Sequence, residues 1–273
     1  MKSQERPPVI DVHLHAMWSE INIEVPAGIR TPESYEQYRQ DTFAMLQQYN
    51  IKALTSGPYV KEWKEMLPDR IISGPLIFGL GNLSVDSLRE SFLKGEYEVL
   101  AEVAIQYSGV SPSDPVFDPY LSLAEELDVP VGIHMLFGPP GIAYHGKNRA
   151  HLSNPLLLEE ALVRHPKIRL WVAHAGWPML DEMVNMLFTY PQLYIDTSVI
   201  NWVIPRKEFY HYLRRIVDAG FCDRVLFGSD QIHWPDAISL AIESINSADF
   251  LTREQKRDIL YNNAAKFLRI ENI

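Results

Sequence analysis

Short runs rich in Val, Ile and Leu alternate with helical patterns from one end of the chain to the other. No other feature constrains the fold as much. Eight such runs stand at 9–15, 51–57, 71–78, 99–107, 129–135, 168–175, 193–199 and 224–230. Their nearly continuous apolar character suits parallel strands buried on both faces. Helix punctuation lies between them. Thr31-Pro32, Asp118-Pro119 and Asn154-Pro155 each read as an N-cap followed by proline at the first helical position. Gly95 and Gly220 sit where helices should stop. After the eighth run a helix is expected near 236–247, and a last one from Thr252, where Thr252-x-x-Gln255 makes a capping box.

Eight strands alternating with helices in 273 residues read as an α/β chain, a (β/α)8 TIM barrel with an extra C-terminal helix, in a single domain over 1–273. An open doubly wound sheet is the runner-up. It calls for a glycine-rich phosphate loop after an early strand, and the sequence has none. The 25 Lys+Arg and 35 Asp+Glu give a net charge of −10. With no basic run, that balance argues against a nucleic-acid partner. Cys222 is the lone cysteine, which excludes an internal disulfide and a Cys-based zinc site. Neither a leader nor an apolar stretch of about 18 residues is visible. No membrane partner is therefore expected, and the chain reads as cytoplasmic.

The strongest local signal is Asp11-Val12-His13-Leu14-His15 at the end of the first strand. Residues i and i+2 of a strand face the same side, so the two imidazoles point together and can share one metal. His134 closes the fifth strand (VGIHM), His174 the sixth (WVAHAG) and Asp230 the eighth (LFGSD). Barrel active sites are built at C-terminal strand ends. Nitrogen and oxygen ligands without sulfur suit Zn2+ first, with Mn2+ and Fe2+ as alternatives. Glu102 sits in the middle of the apolar fourth strand, where an uncompensated charge is costly, and a metal would compensate it. Asp196 in the seventh strand (YIDTS) reads as a structural hydrogen-bond acceptor.

This constellation resembles the amidohydrolase superfamily: His-x-His on strand one, His on strands five and six, Asp on strand eight. The resemblance runs from Val9 to the terminal NNAAKFLRI and is closest to the amidohydrolase-related branch called family 2. That branch includes lactonases, sugar-lactone and dicarboxylate hydrolases and some metal-dependent decarboxylases. The fourth strand lacks the carboxylated lysine of many binuclear members. Its stretch 101–107 (AEVAIQY) resembles instead the Gly-Glu-x-Gly-x-Asp-Tyr element of TatD-type hydrolases, whose Glu is a metal ligand. By that resemblance Glu102 bridges two ions in a binuclear centre. Gln106 stands where those enzymes carry Asp and departs from the pattern.

The ligand set implied is His13, His15, Glu102, His134, His174 and Asp230, holding one or two divalent ions. A bound metal lowers the pKa of water from about 15.7 towards 7. Asp230 then reads as the general base, and His174 as a group that polarises the attacked oxygen. Substrate residues are expected in the loops. Tyr144, His145, Lys147 and Arg149 in the long loop after strand five offer donors for an anionic group. Trp18, Trp177, Trp202 and Trp234 each follow a strand, which suits an aromatic-walled pocket or the subunit interface of a homo-oligomer. His233 is a further substrate contact, and Trp63 and Trp171 read as packing. His165 and His211 read as surface residues on helices, and Cys222 as inert. The expected activity is metal-dependent hydrolysis of a small lactone, ester or amide, carboxylated substrates included. The alternatives are a metal-dependent non-hydrolytic decarboxylase and a TatD-like phosphodiester hydrolase.

Overall fold

The computed structural model describes residues 6–20, 25, 27–79, 84–138 and 141–270. Pro139 and Pro140 of the long loop lie outside them. The strands among the described residues are β1 (Val9–His15), β2 (Ile51–Ser56), β3 (Ile71–Ser73), β4 (Leu76–Ile77), β5 (Leu100–Val103), β6 (Val131–His134), β7 (Leu170–Ala173), β8 (Leu193–Asp196) and β9 (Val225–Leu226). Most are shorter than the apolar runs, because several runs end in tight turns. Ile105–Ser108 and His174–Gly176 each form a 3-10 turn directly after a strand. The run at 71–78 divides into β3 and β4. Pro75 has no N–H for a ladder. At Gly74 a Cβ would lie 2.6 Å from both the Ala101 Cβ and the Val99 carbonyl oxygen.

Two of the three proline-marked helix starts are corrected. Helix α1 (Tyr35–Gln48) is capped by Ser34, whose Oγ accepts from the Gln37 N–H at 3.2 Å, and Thr31 lies outside it. Asp118 is not a cap but the first residue of the helix Asp118–Glu126. Its carboxylate is taken by Arg164 Nε at 2.6 Å and His165 Nε2 at 3.1 Å. Asn154 does cap, accepting from the Leu156 N–H at 2.9 Å. The helix Ala237–Asn246 and the capping box of Thr252 with Gln255 stand as expected.

The chain forms two compact units, one of residues up to Ile72 together with those from Thr197 onward, the other Ser73–Asp196. In the first, β1 and β2 run parallel, pairing Val9 with Ile51 and His15 with Ser56. The other edge of β1 is met by the segment after β9, where the Val12 N–H donates to the Phe227 carbonyl at 2.9 Å. Every residue of β1 is buried. In the second unit β4 to β8 follow one another as parallel neighbours. Such ladders place consecutive strand ends side by side, as with His134 and Ala173. No helix among the described residues is long and apolar enough to cross a membrane.

Candidate metal centre

In the first unit the alternation of β1 turns His13 and His15 to one face, with ring centroids 5.1 Å apart. Each ring is held through Nδ1. Ser198 Oγ lies 3.0 Å from Nδ1 of His13, and Ser56 Oγ lies 3.1 Å from Nδ1 of His15. The Nε2 atoms point to Asp230, whose Oδ1 is 3.0 Å from that of His15 and 3.9 Å from that of His13. All three side chains are buried, and one donor atom from each lies within 4.8 Å of the others. When Nδ1–H donates to serine, the ring keeps its Nε2 lone pair for a cation. Two buried imidazoles and a carboxylate converging in this way fit a divalent ion.

Asp230 sits on strained backbone, with φ at +47° and Ile232 at +43° just beyond. The turn is tied to β1: the Asp230 N–H donates to the His13 carbonyl at 2.7 Å. Asp11 adds a second tie, its Oδ1 accepting from the N–H of His13 at 3.0 Å and of Ser229 at 2.9 Å. Burial pushes the Asp11 carboxyl up to about 6, although both bonds pull it down. His233 follows the same turn. It is half-buried, and its Nδ1 lies 3.2 Å from the Met17 carbonyl. Burial lowers its pKa from the usual imidazole value.

In the second unit Glu102 is buried in β5, and one of its carboxylate oxygens comes within 4.8 Å of a His174 ring nitrogen. The His134 and His174 rings meet edge to face, centroids 4.6 Å apart. His134 belongs to no group of three close donors among the described residues. Its Nδ1 is hydrogen-bonded by the side-chain amide of Gln106. The departure from Asp at position 106 thus leaves a neutral partner on His134. His174 and Ala175 have φ of +60° and +52°. Asp196 braces that turn: Oδ1 accepts from the His174 N–H at 2.9 Å and Oδ2 from the Trp171 indole at 3.0 Å. Trp171 therefore does more than pack.

The predicted substrate residues have unlike surroundings. Tyr144 is 89% exposed, and His145 and Lys147 are exposed as well. Arg149 serves its own loop, Nη1 donating to the carbonyls of Ala143, Gly146 and Asn148 at 3.2, 3.0 and 2.7 Å. Trp177 is half-buried and faces Phe137 at 6.1 Å. Trp202 and Trp234 are buried against each other, 6.0 Å between centroids, and the Trp202 indole donates to the Ser229 carbonyl at 2.7 Å. They pack behind the Asp230 turn. The expectation of a surface His165 is corrected: it is buried between Asp118 and Glu125, because both carboxylates lie within 3.5 Å of its ring. His211 is exposed as expected. Burial pushes the Cys222 thiol up to about 11, so it carries no thiolate at neutral pH.

Sequence reasoning missed the residues that hold the ligands: Ser56, Ser198, Gln231 and Tyr38 have no motif. It also missed Tyr107, which meets His134 at 5.3 Å and Phe78 at 5.9 Å. Tyr107 lies four residues past the end of β5, in the turn Ile105–Ser108, and the apolar run through it hid that turn.

No curated protein matches the chain significantly. Solved structures do. One is an uncharacterised TIM-barrel protein from Bordetella bronchiseptica, 15% identical, TM-score 0.73, covering 96% of this chain and 99% of that one. A second is a probable 2-pyrone-4,6-dicarboxylic acid hydrolase from Acinetobacter baumannii with citric acid bound. It is 16% identical, TM-score 0.68, with 97% and 100% covered. A third is a dihydroxybenzoic acid decarboxylase from Polaromonas with bound manganese and the inhibitor 2-nitroresorcinol. It is 14% identical, TM-score 0.65, with 97% and 98% covered. At such identities the likeness shows the fold alone, and that fold is the TIM-barrel α/β fold read from the sequence. The amidohydrolase family model (Amidohydro_2) matches residues 87–270. That match spans more than half of the chain and takes in Glu102, His134, His174 and Asp230, so the chain belongs to the amidohydrolase family, whose members are metal-dependent enzymes.

Proposed function

We propose that this chain is a metal-dependent hydrolase of a small organic acid derivative, a lactone, ester or amide that carries a carboxylate. The observation that carries the reading is the buried approach of His15 Nε2 and His13 Nε2 to Asp230 Oδ1, at 3.0 and 3.9 Å. His13, His15 and Asp230 would hold a divalent ion, Zn2+ first and Mn2+ or Fe2+ as alternatives. Such an ion supplies Lewis acidity and makes water a nucleophile near neutral pH. The chain's own part is to place and protonate. Ser56 and Ser198 hold the imidazole rings through Nδ1 and can accept its proton, which leaves Nε2 for the ion. Asp230 takes a proton from water at a carboxylate oxygen and returns it to the leaving oxygen or nitrogen.

Glu102, His134 and His174 are the second unit's candidate site residues, with Glu102 and His174 as donors to a second ion. With Nδ1 facing the Gln106 amide nitrogen and the Leu136 N–H, His134 presents Nε2–H, which suits a hydrogen-bond donor to substrate oxygen. Phe78, Tyr107, Phe137 and Trp177 supply aromatic surface near it. Trp177, Tyr144, His145 and His233 stand as substrate contacts. Arg149 is better suited to shaping the loop, since three carbonyls already occupy its Nη1. The likeness to a probable 2-pyrone-4,6-dicarboxylic acid hydrolase with citric acid bound supports a carboxylated substrate. The manganese-bound decarboxylase supports a second reading, loss of CO2 from an aromatic acid.

Turnover of 2-pyrone-4,6-dicarboxylate and of a dihydroxybenzoate, in water enriched in heavy oxygen, separates the two. Hydrolysis puts one solvent oxygen into the acid product and releases no CO2. CO2 release without solvent oxygen in the product would overturn the hydrolase reading in favour of decarboxylation.

A further inference from the structure

Gln231 and Tyr38 make a closed hydrogen-bond network around the backbone of His15. The His15 N–H donates to Gln231 Oε1 at 2.9 Å, and Gln231 Nε2 donates back to the His15 carbonyl at 2.5 Å. One side-chain amide thus pairs with both backbone groups of the residue, as a neighbouring strand would. The second Nε2 proton goes to Tyr38 Oη at 2.7 Å. Tyr38 Oη in turn lies 2.5 Å from the His15 carbonyl and 2.8 Å from the carbonyl of Ile232, so its one proton serves either. Gln231 is fully buried, and so is Tyr38, which projects from α1.

The position of this network gives it a purpose. Gln231 stands between Asp230 and Ile232, both at positive φ, so the turn that aims Asp230 is intrinsically unfavourable. Position 231 lies on the chain between the two strained residues, and its side chain grips the residue that carries the other close donor. Gln231 thus links the backbone of His15 to the turn that carries Asp230, and Tyr38 joins both from the helix. A general requirement for filling a core does not explain a glutamine there, because an apolar residue would fill the same space without needing partners.

We propose that Gln231 and Tyr38 are positioning residues: they act through the backbone of His15 and the 230–232 turn to hold the His15–Asp230 pair at metal-binding distance. This rests on the reading of His15 and Asp230 as metal ligands. Outer partners of metal ligands are worth about ten- to a hundred-fold in metal affinity. Cobalt reports both affinity and geometry, since its visible absorption follows the ligand field.

The test titrates Co2+ into the full-length wild type and three variants, Gln231→Met, Tyr38→Phe and His15→Ala, with circular dichroism and the thermal midpoint of each apoprotein as folding controls. Gln231→Met should weaken Co2+ binding about ten- to a hundred-fold and change the visible band, and Tyr38→Phe should move both in the same direction by less. If Gln231→Met does not fold, Tyr38→Phe decides alone. His15→Ala keeping wild-type affinity would overturn the ligand reading, and the positioning role with it. Loss of Co2+ in His15→Ala, with wild-type affinity and spectrum in the folded Gln231→Met and Tyr38→Phe proteins, would overturn the positioning role alone.

Discussion

Replacing Asp196 by Ala should loosen the turn that carries His174 far more than the loss of one side chain would suggest. Asp196 is 0% exposed and accepts two hydrogen bonds, from the His174 N–H at 2.9 Å and the Trp171 indole at 3.0 Å. A hydrogen bond to a charged partner contributes about 1.5–3 kcal/mol, so the pair contributes roughly 3–6 kcal/mol. Alanine also relieves the desolvation of a buried carboxylate, which offsets part of that loss. The net expected cost is about 2–4 kcal/mol, or roughly thirty- to a thousand-fold in a local opening equilibrium. Native-state hydrogen exchange at the His174 amide reads this directly. Asp196→Asn keeps one acceptor and should fall between wild type and Asp196→Ala. Wild-type protection of His174 in Asp196→Ala would mean that the φ of +60° at His174 is held by something other than this carboxylate.

Three further outcomes are expected. Asp230→Asn should abolish turnover while the protein keeps substantial metal, since an amide offers an oxygen but cannot act as a base; near-normal kcat would remove Asp230 from proton transfer. Glu102→Gln should lower the divalent-ion content from about two per chain to about one, and equal content in both proteins by elemental analysis would remove the bridging role. Arg164 and then His165 hold the Asp118 carboxyl below its usual range. A lowered folded pKa means that this contribution is present above the unfolded value near 3.8 and is lost as pH falls through the folded one. Asp118→Asn should therefore flatten the acid limb of the stability curve below about pH 4 and leave its shape above pH 5 unchanged.

Much of this was legible in the sequence, and the reasons are physical. The parallel strands could be read because both faces are buried, which forces unbroken apolar runs. Their ends could not be. The apolar run continues through Ile105 and Ala175, although the backbone there has already turned out of the ladder. The split at Gly74-Pro75 was printed in the residue types and was overridden by the apolar run around it. His13 and His15 could be paired from their spacing, because period two is a property of any strand. Asp230 was expected to close the last strand; it lies four residues past the end of β9, in a turn, and meets them in the first unit. Nothing in the sequence could tell that Ser56, Ser198 and Gln231 hold those rings and that turn, because hydrogen-bond partners 41, 185 and 216 residues apart leave no periodic trace. Arg149 shows a different limit. Its charge suggested a substrate, whereas the loop's own carbonyls already claim it.

His13, His15 and Asp230 are proposed to hold a divalent ion. The most direct test is the metal content of the purified full-length protein after exhaustive dialysis, compared with that of the His13→Ala, His15→Ala double variant. At least about one tightly held divalent ion per wild-type chain is expected, and its loss in a double variant that still folds. Equal metal content in the two proteins would contradict it.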